Sequence, residues 1–192
     1  IKINEIPVLN TKFMHLAGIS NTEFDMNLIE GLKAKGYNLS IDMQSFVRQV
    51  DPISKEISFG DVPFKKEIAK LMSKIKLDIV EAKVLTGTDD LEKAAIIFEQ
   101  WGCPETVITH ADGVLARAGG KTYYEKFSNS SIVGRTGRGD TTFAAYLSYR
   151  MDHDVAESLK FAAALVSIKM EKPGPFSGTL EDVLARIKEK HS

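Results

Sequence analysis

The sequence predicts an α/β fold, a single domain over residues 1–192 built on a mainly parallel sheet with an antiparallel hairpin toward its C-terminal part. Three observations carry this. Residues 13–18 and 37–42 read as strands separated by a helical stretch, and strand, helix, strand at that spacing implies a parallel crossover. Thr106-Val107-Ile108-Thr109 is a β-branched run of the kind that fills a buried strand. Residues 114–118 and 121–125 flank Gly119-Gly120, a turn pair that joins antiparallel strands.

Taken in order, Ser20-Asn21-Thr22-Glu23 has the pattern of a capping box and is expected to open the first helix, which Gly36 ends. Asp42 then falls at the carboxyl end of the second strand. Residues 43–62 lack helical periodicity, with a small hairpin expected within 50–59; connections this long are often functional. Pro63 is expected to start a helix running to about Lys74, residues 77–80 to form a short strand, and Asp89-Asp90 to cap a helix over 91–101. Helices follow over 141–151 and 155–170, the second rich in alanine at 162, 163 and 164. Lys172-Pro173-Gly174-Pro175 forces a loop before a last helix over 179–190.

A chain of 192 residues can bury a sizeable core without staples. Cys103 is the single cysteine, which excludes an intramolecular disulfide and a multi-cysteine zinc site and suits a reducing, cytoplasmic compartment. Lys+Arg 25 against Asp+Glu 26 gives a net charge of −1, and no basic run with interleaved aromatics offers a nucleic-acid surface. No apolar run approaches the roughly 20 residues that span a bilayer, so neither nucleic acid nor membrane is an expected partner. A homodimer is the candidate assembly.

The segment richest in chemistry is Thr136-Gly137-Arg138-Gly139-Asp140. Glycines at 137 and 139 allow a tight turn whose successive N–H groups converge on one oxyanion, reinforced by the positive end of the helix that follows. Asp140 there reads either as a base that takes a proton from a hydroxyl or as a helix N-cap. Asp78-Ile79-Val80-Glu81 puts two carboxylates at a strand end, suited to a hydrated Mg²⁺ or to plain solvation. Gly119-Gly120-Lys121-Thr122 is superficially similar to a phosphate-binding P-loop, but the required upstream glycine falls at Leu115. Gly137-x-Gly139 could begin a dinucleotide fingerprint, yet Thr142 takes the third glycine's place. His15, His110, His153 and His191 show no metal-ligand spacing.

Together these segments resemble the ribokinase-like (PfkB) carbohydrate kinases over roughly residues 13–190. Thr136 to Asp140 is similar to that family's Thr-Gly-Ala-Gly-Asp signature, and Asp78-Ile-Val-Glu81 with Leu85-Thr86-Gly87 to its Asn-x-x-Glu segment. Val107-Ile-Thr109-His-Ala-Asp112-Gly113 resembles its nucleotide strand and loop, and Phe161 to Ala164 with Lys172-Pro-Gly174 its closing helix and adenine-side loop. The resemblance implies helices on both faces of the sheet, ATP as donor, Mg²⁺, and a sugar, polyol or nucleoside as acceptor. It implies Asp140 as general base, the amides of Gly137, Arg138, Gly139 and Asp140 as anion hole, and Glu81 with Asp78 at the metal. Thr109, Asp112, Gly113, Thr136, Ser167 and Gly174 would lie on the nucleotide side. The chain would be the C-terminal two thirds of such a kinase, without the N-terminal third and lid.

The departures are specific. Asp78 replaces the usual Asn, Arg138 a small residue, and His110-Ala111 the usual Leu-Gly. Gly134 stands where many relatives carry an Asp that helps hold a monovalent cation, so a K⁺ requirement does not follow. Asp42-Met-Gln44-Ser-Phe46-Val-Arg48 resembles the Asp-x-Gln-Gly-Phe-x-Arg variant of some archaeal and plant sugar or inositol kinase relatives. Two rival functions stand beside the kinase: a non-catalytic nucleotide-binding module of the same fold, and a dinucleotide-dependent oxidoreductase.

Overall fold

The computed structural model describes residues 1–191. Among them the strands are β1 (Phe13–Leu16), β2 (Asn38–Asp42), β3 (Arg48–Val50), β4 (Ile57–Phe59), β5 (Lys74–Asp78), β6 (Glu105–Thr109), β7 (Gly113–Ala118) and β8 (Lys121–Lys126). The helices are α1 (Met26–Ala34), α2 (Gln44–Val47), α3 (Lys65–Leu71), α4 (Ile79–Thr86), α5 (Leu91–Gln100), α6 (Arg138–Tyr149), α7 (Val155–Met170) and α8 (Leu180–Lys190). The main sheet has the order β1-β2-β5-β6-β7-β8, and β3 and β4 form a separate antiparallel ribbon. The pairs β1–β2 and β2–β5 are parallel, and the β7–β8 hairpin makes the sheet mixed, as expected. The chain divides into two compact units, Ile1–Ile108 with Arg117–Gly120, and Thr109–Ala116 with the chain from Lys121 onward.

In the first unit, Leu39 and Ile41 of β2, Ile75 and Leu77 of β5, and Leu28, Ile29 and Leu32 of α1 are all but inaccessible to solvent. Burying each such side chain contributes about 1.5–3 kcal/mol. Three boundaries differ from expectation. Asp25, whose carboxylate accepts from the Leu28 amide at 2.8 Å, caps α1; the Ser20–Glu23 pattern instead closes a turn in which Glu23 accepts from the amides of Ile19 and Ser20. The β3–β4 ribbon matches the anticipated hairpin closely, but the helix expected from Pro63 spans only α3 and gives way to β5 at Lys74. Residues 77–80 are not a strand of their own: β5 ends at Asp78 and α4 begins at once, because Asp78 caps it.

In the second unit, α7 opens with a true capping box, Asp154 and Glu157, and buries Ala162, Ala163 and Ala164. Tyr149 at the end of α6 stacks on Phe161 of α7 at 4.1 Å, which holds the two helices together at that end. Between β7 and β8, Gly119 (φ 56°) and Gly120 (φ 76°), which belong to the first unit, are both left-handed, the conformation of a two-residue type I′ turn. Lys121 and Thr122 are therefore strand residues, and the P-loop reading falls.

Candidate active site

In the second unit, α6 starts one turn earlier than its sequence pattern suggested, at Arg138 rather than Thr141, with Gly137 as N-cap. Gly137 has φ 76°, and a Cβ there would meet nothing within 4 Å; glycine is needed for the backbone angle alone. No side chain caps this helix. Asp140 occupies its third position and is exposed, so the N-cap reading of Asp140 is overturned by where the helix begins. Thr141 donates to the Gly137 carbonyl at 2.9 Å, the first rung of the ladder, and the amides of Gly139 and Asp140 precede it without an intrahelical acceptor. The Arg138 amide bonds the Arg135 carbonyl at 3.2 Å. Gly137, Asp140 and Thr141 line an open depression of about 410 Å³ together with Val133, Thr136, Lys169 and Gly174.

The segment after β6 is a tight reversal in which the His110 amide donates to the Gly113 carbonyl at 3.0 Å. Thr109 is buried, Asp112 exposed, and the Phe127 amide donates to the Asp112 carbonyl. His110 stacks on Tyr124 and its Nε2 lies 3.0 Å from the Tyr124 hydroxyl. Partial burial, then the nearby Arg138 guanidinium, hold the His110 pKa below its ordinary value against the pull of Asp112. A Cβ at Gly113 would lie 2.4 Å from the Glu125 carbonyl oxygen, so close backbone approach alone requires that glycine. Ser167 is buried, donating to the Ala163 carbonyl at 2.6 Å and accepting from the Ser128 amide at 2.8 Å. Gly174 is left-handed (φ 87°) and borders the depression.

In the first unit, Asp78 and Glu81 form a capping box: Asp78 accepts from the amides of Val80 and Glu81, both at 2.8 Å, and Glu81 accepts from the Asp78 amide at 2.8 Å. Glu81 is 1% exposed, and burial pushes its pKa up to about 7, with Asp42 and Asp78 adding to the rise and Lys76 opposing it. Asp42 and Lys76 are register partners on β2 and β5, and their buried side chains pair at 2.8 Å. Among the described residues no cluster of three or more His, Cys, Asp or Glu could hold a metal ion by protein ligands alone. Cys103 is buried and its thiol is pushed up to about 11, which makes it a core residue rather than a nucleophile.

No family model matches the chain. A pyrophosphate-dependent kinase in the ribokinase family, solved as a sulfate complex, is 35% identical with a TM-score of 0.83, over 92% of this chain and 62% of that one. A pyrophosphate-dependent myo-inositol-1 kinase, solved in a form converted into a myo-inositol-3 kinase, is 33% identical with a TM-score of 0.85, over 100% of this chain and 68% of that one. The chain belongs to the ribokinase family. Among curated proteins, a cytidine kinase of Thermococcus kodakarensis is 25% identical over 190 residues, 93% of this chain and 64% of that protein. The ribokinase-like α/β fold expected from the motifs is thus the fold found, and the relatives are kinases. The chain spans 62% of the length of the kinase solved as a sulfate complex and 64% of that of the cytidine kinase.

Two charged residues escaped the motif reading. Lys76 lies inside a strand whose neighbours Ile75 and Leu77 are core, and Lys169 lies on the same buried stripe of α7 as Ala162 and Val166. The available signal was a cation at a core-facing position, which is costly unless it has a partner.

Proposed function

We propose that this chain carries the donor-binding and catalytic machinery of a kinase that transfers a phosphoryl group to a hydroxyl of a sugar, polyol or nucleoside. The observation that supports this most is the N-terminus of α6, where unpaired amides and an exposed carboxylate share one turn bordering an open depression. Phosphoryl transfer is mostly positioning and charge stabilisation. In this reading the turn of Gly137, Arg138, Gly139 and Asp140 holds the phosphoryl oxygens, and Asp140 takes the proton of the attacking hydroxyl. Since the Arg138 amide bonds Arg135, the contribution of Arg138 is its guanidinium. Thr109, Asp112, Gly113, Thr136 and Gly174 serve the donor side, and Ser167 serves it at one remove by fixing Ser128. Asp78 and Glu81 offer an all-oxygen donor set of the kind that holds a largely hydrated Mg²⁺. Glu81 must lose its proton to act as a ligand, so metal loading weakens as pH falls below about 7.

ATP is the donor that the order of the motifs implies. A second reading, inorganic pyrophosphate, is favoured by the 33% and 35% identical relatives, both described as pyrophosphate-dependent. The test is to offer the natural protein carrying this chain each donor with Mg²⁺ and a panel of myo-inositol, pentoses, hexoses and nucleosides, following transfer by phosphorus NMR. Transfer from one donor to one acceptor class is expected. Tight donor binding with no transfer to any acceptor would favour the non-catalytic module instead.

A further inference from the structure

The loop entering the glycine turn is held from one side by the end of α7. The amides of Val133 and Gly134 both donate to the Met170 carbonyl at 2.9 Å, and the Lys169 ammonium donates to the Gly134 carbonyl at 2.5 Å and to the Thr136 carbonyl. Lys169 is 4% exposed. Gly134 is buried, and a Cβ there would lie 1.9 Å from the Lys172 carbonyl oxygen, so no side chain at 134 could bring a charge to this spot. The positive charge at these two carbonyls comes from α7.

Two consequences follow from peptide geometry and electrostatics. In a planar trans peptide the C=O and N–H point in opposite directions. With the Thr136 carbonyl turned onto Lys169, the Gly137 amide of the same peptide points away from the ammonium. Removing the ammonium takes away the donor that both carbonyls share, and with it the contact that fixes the orientation of that peptide. Second, a buried charge must be offset. Among the described residues Lys169 has these two carbonyls and no carboxylate within ion-pair distance, so an anion at the turn would supply the missing counter-charge.

We propose that Lys169 is a positioning residue for the phosphoryl donor: a resident cation, covalently tethered, that sets the Gly137 amide and charges the floor of the anion site. This rests on the kinase reading of the turn. It follows that the two carbonyls are not a site for a dissolved monovalent cation, and that donor binding and transfer need neither K⁺ nor NH₄⁺.

The test uses calorimetric binding of inorganic pyrophosphate to the protein in buffers whose only monovalent cation is tetramethylammonium, which is too large to enter. Wild type should bind equally well with and without added K⁺. Lys169→Met, which keeps length and removes charge, should melt cooperatively and lose about tenfold or more in pyrophosphate affinity, the scale of charge-assisted hydrogen bonds. Lys169→Ala should lose a similar factor and regain part of it on addition of ammonium or methylammonium. In transfer assays the donor KM should rise while the acceptor KM stays within about twofold, since only donor contacts change. A Lys169→Met protein that folds and binds pyrophosphate as wild type does would overturn the proposal, as would a wild type that depends on K⁺. If Lys169→Met does not fold, the wild-type K⁺ titration and the ammonium response of Lys169→Ala decide by themselves. Absence of transfer in wild type with these binding effects intact would sink the kinase reading and leave the role of Lys169 standing.

Discussion

The first turns of α4 and α6 use the same helical device in opposite ways. At α4 the end is closed by the chain itself, with Asp78 taking the amides of Val80 and Glu81 and Glu81 returning to the Asp78 amide. At α6 the N-cap is a glycine, no side chain caps the end, and the carboxylate at the third position is exposed. A helix N-terminus left open beside a depression is a place where a ligand does the capping. A self-capped one instead spends its amides on fixing its own carboxylates, which is how Glu81 can be almost wholly buried. The difference teaches that these acids have different costs: Glu81 sits among buried charges that the fold must balance, whereas Asp140 perturbs little of the fold.

Substitutions can break that contrast, beginning with the largest expected change in stability. Lys76→Met should cost about 3–5 kcal/mol in chemical denaturation, because it leaves the buried Asp42 carboxylate facing a lost cation. Glu81→Gln should reshape the pH dependence of stability, measured with EDTA present. The folded carboxyl binds its proton up to about pH 7 while the unfolded one releases it near 4.5, so the contribution of Glu81 is fully present below about 4.5 and is lost as pH rises through 7. The Gln variant should lack that decline and gain on the order of 2–3 kcal/mol over wild type above pH 8. Gly134→Ala should cost about 1–3 kcal/mol through its collision with the Lys172 carbonyl, and Gly137→Ala, which meets no atom, only about 1 kcal/mol of backbone strain. Equal losses at the two glycines, read from urea midpoints, would mean that the Gly134 loop is not gripped as described.

Much of this organisation was legible in the residues because it depends on local chemistry. Strand β6 is a run of β-branched side chains, α7 carries a continuous apolar and alanine stripe, and the β7–β8 turn needs two glycines at positive φ. What escaped depends on partners distant in sequence. The strand expected over residues 77–80 runs into the first two residues of α4, because Ile79 and Val80 have strand propensity and only the Asp78–Glu81 box reveals the switch. The start of α6 was placed at Thr141, because glycines at 137 and 139 look like loop until the Gly137 carbonyl is seen accepting from Thr141. Lys169 carries no local signature, because its partners are carbonyls more than thirty residues upstream.

Asp140 is the residue on which transfer turns, and the measurement is the transfer rate of Asp140→Asn beside its unfolding free energy. Because Asp140 is neither a cap nor buried, the substitution removes only its favourable interaction with the helix dipole and should cost less than about 1 kcal/mol of stability. Transfer at saturating donor and acceptor should fall by about 10²- to 10⁴-fold, the range for loss of a general base. An Asn variant with near wild-type turnover would contradict the assignment of Asp140 as the base.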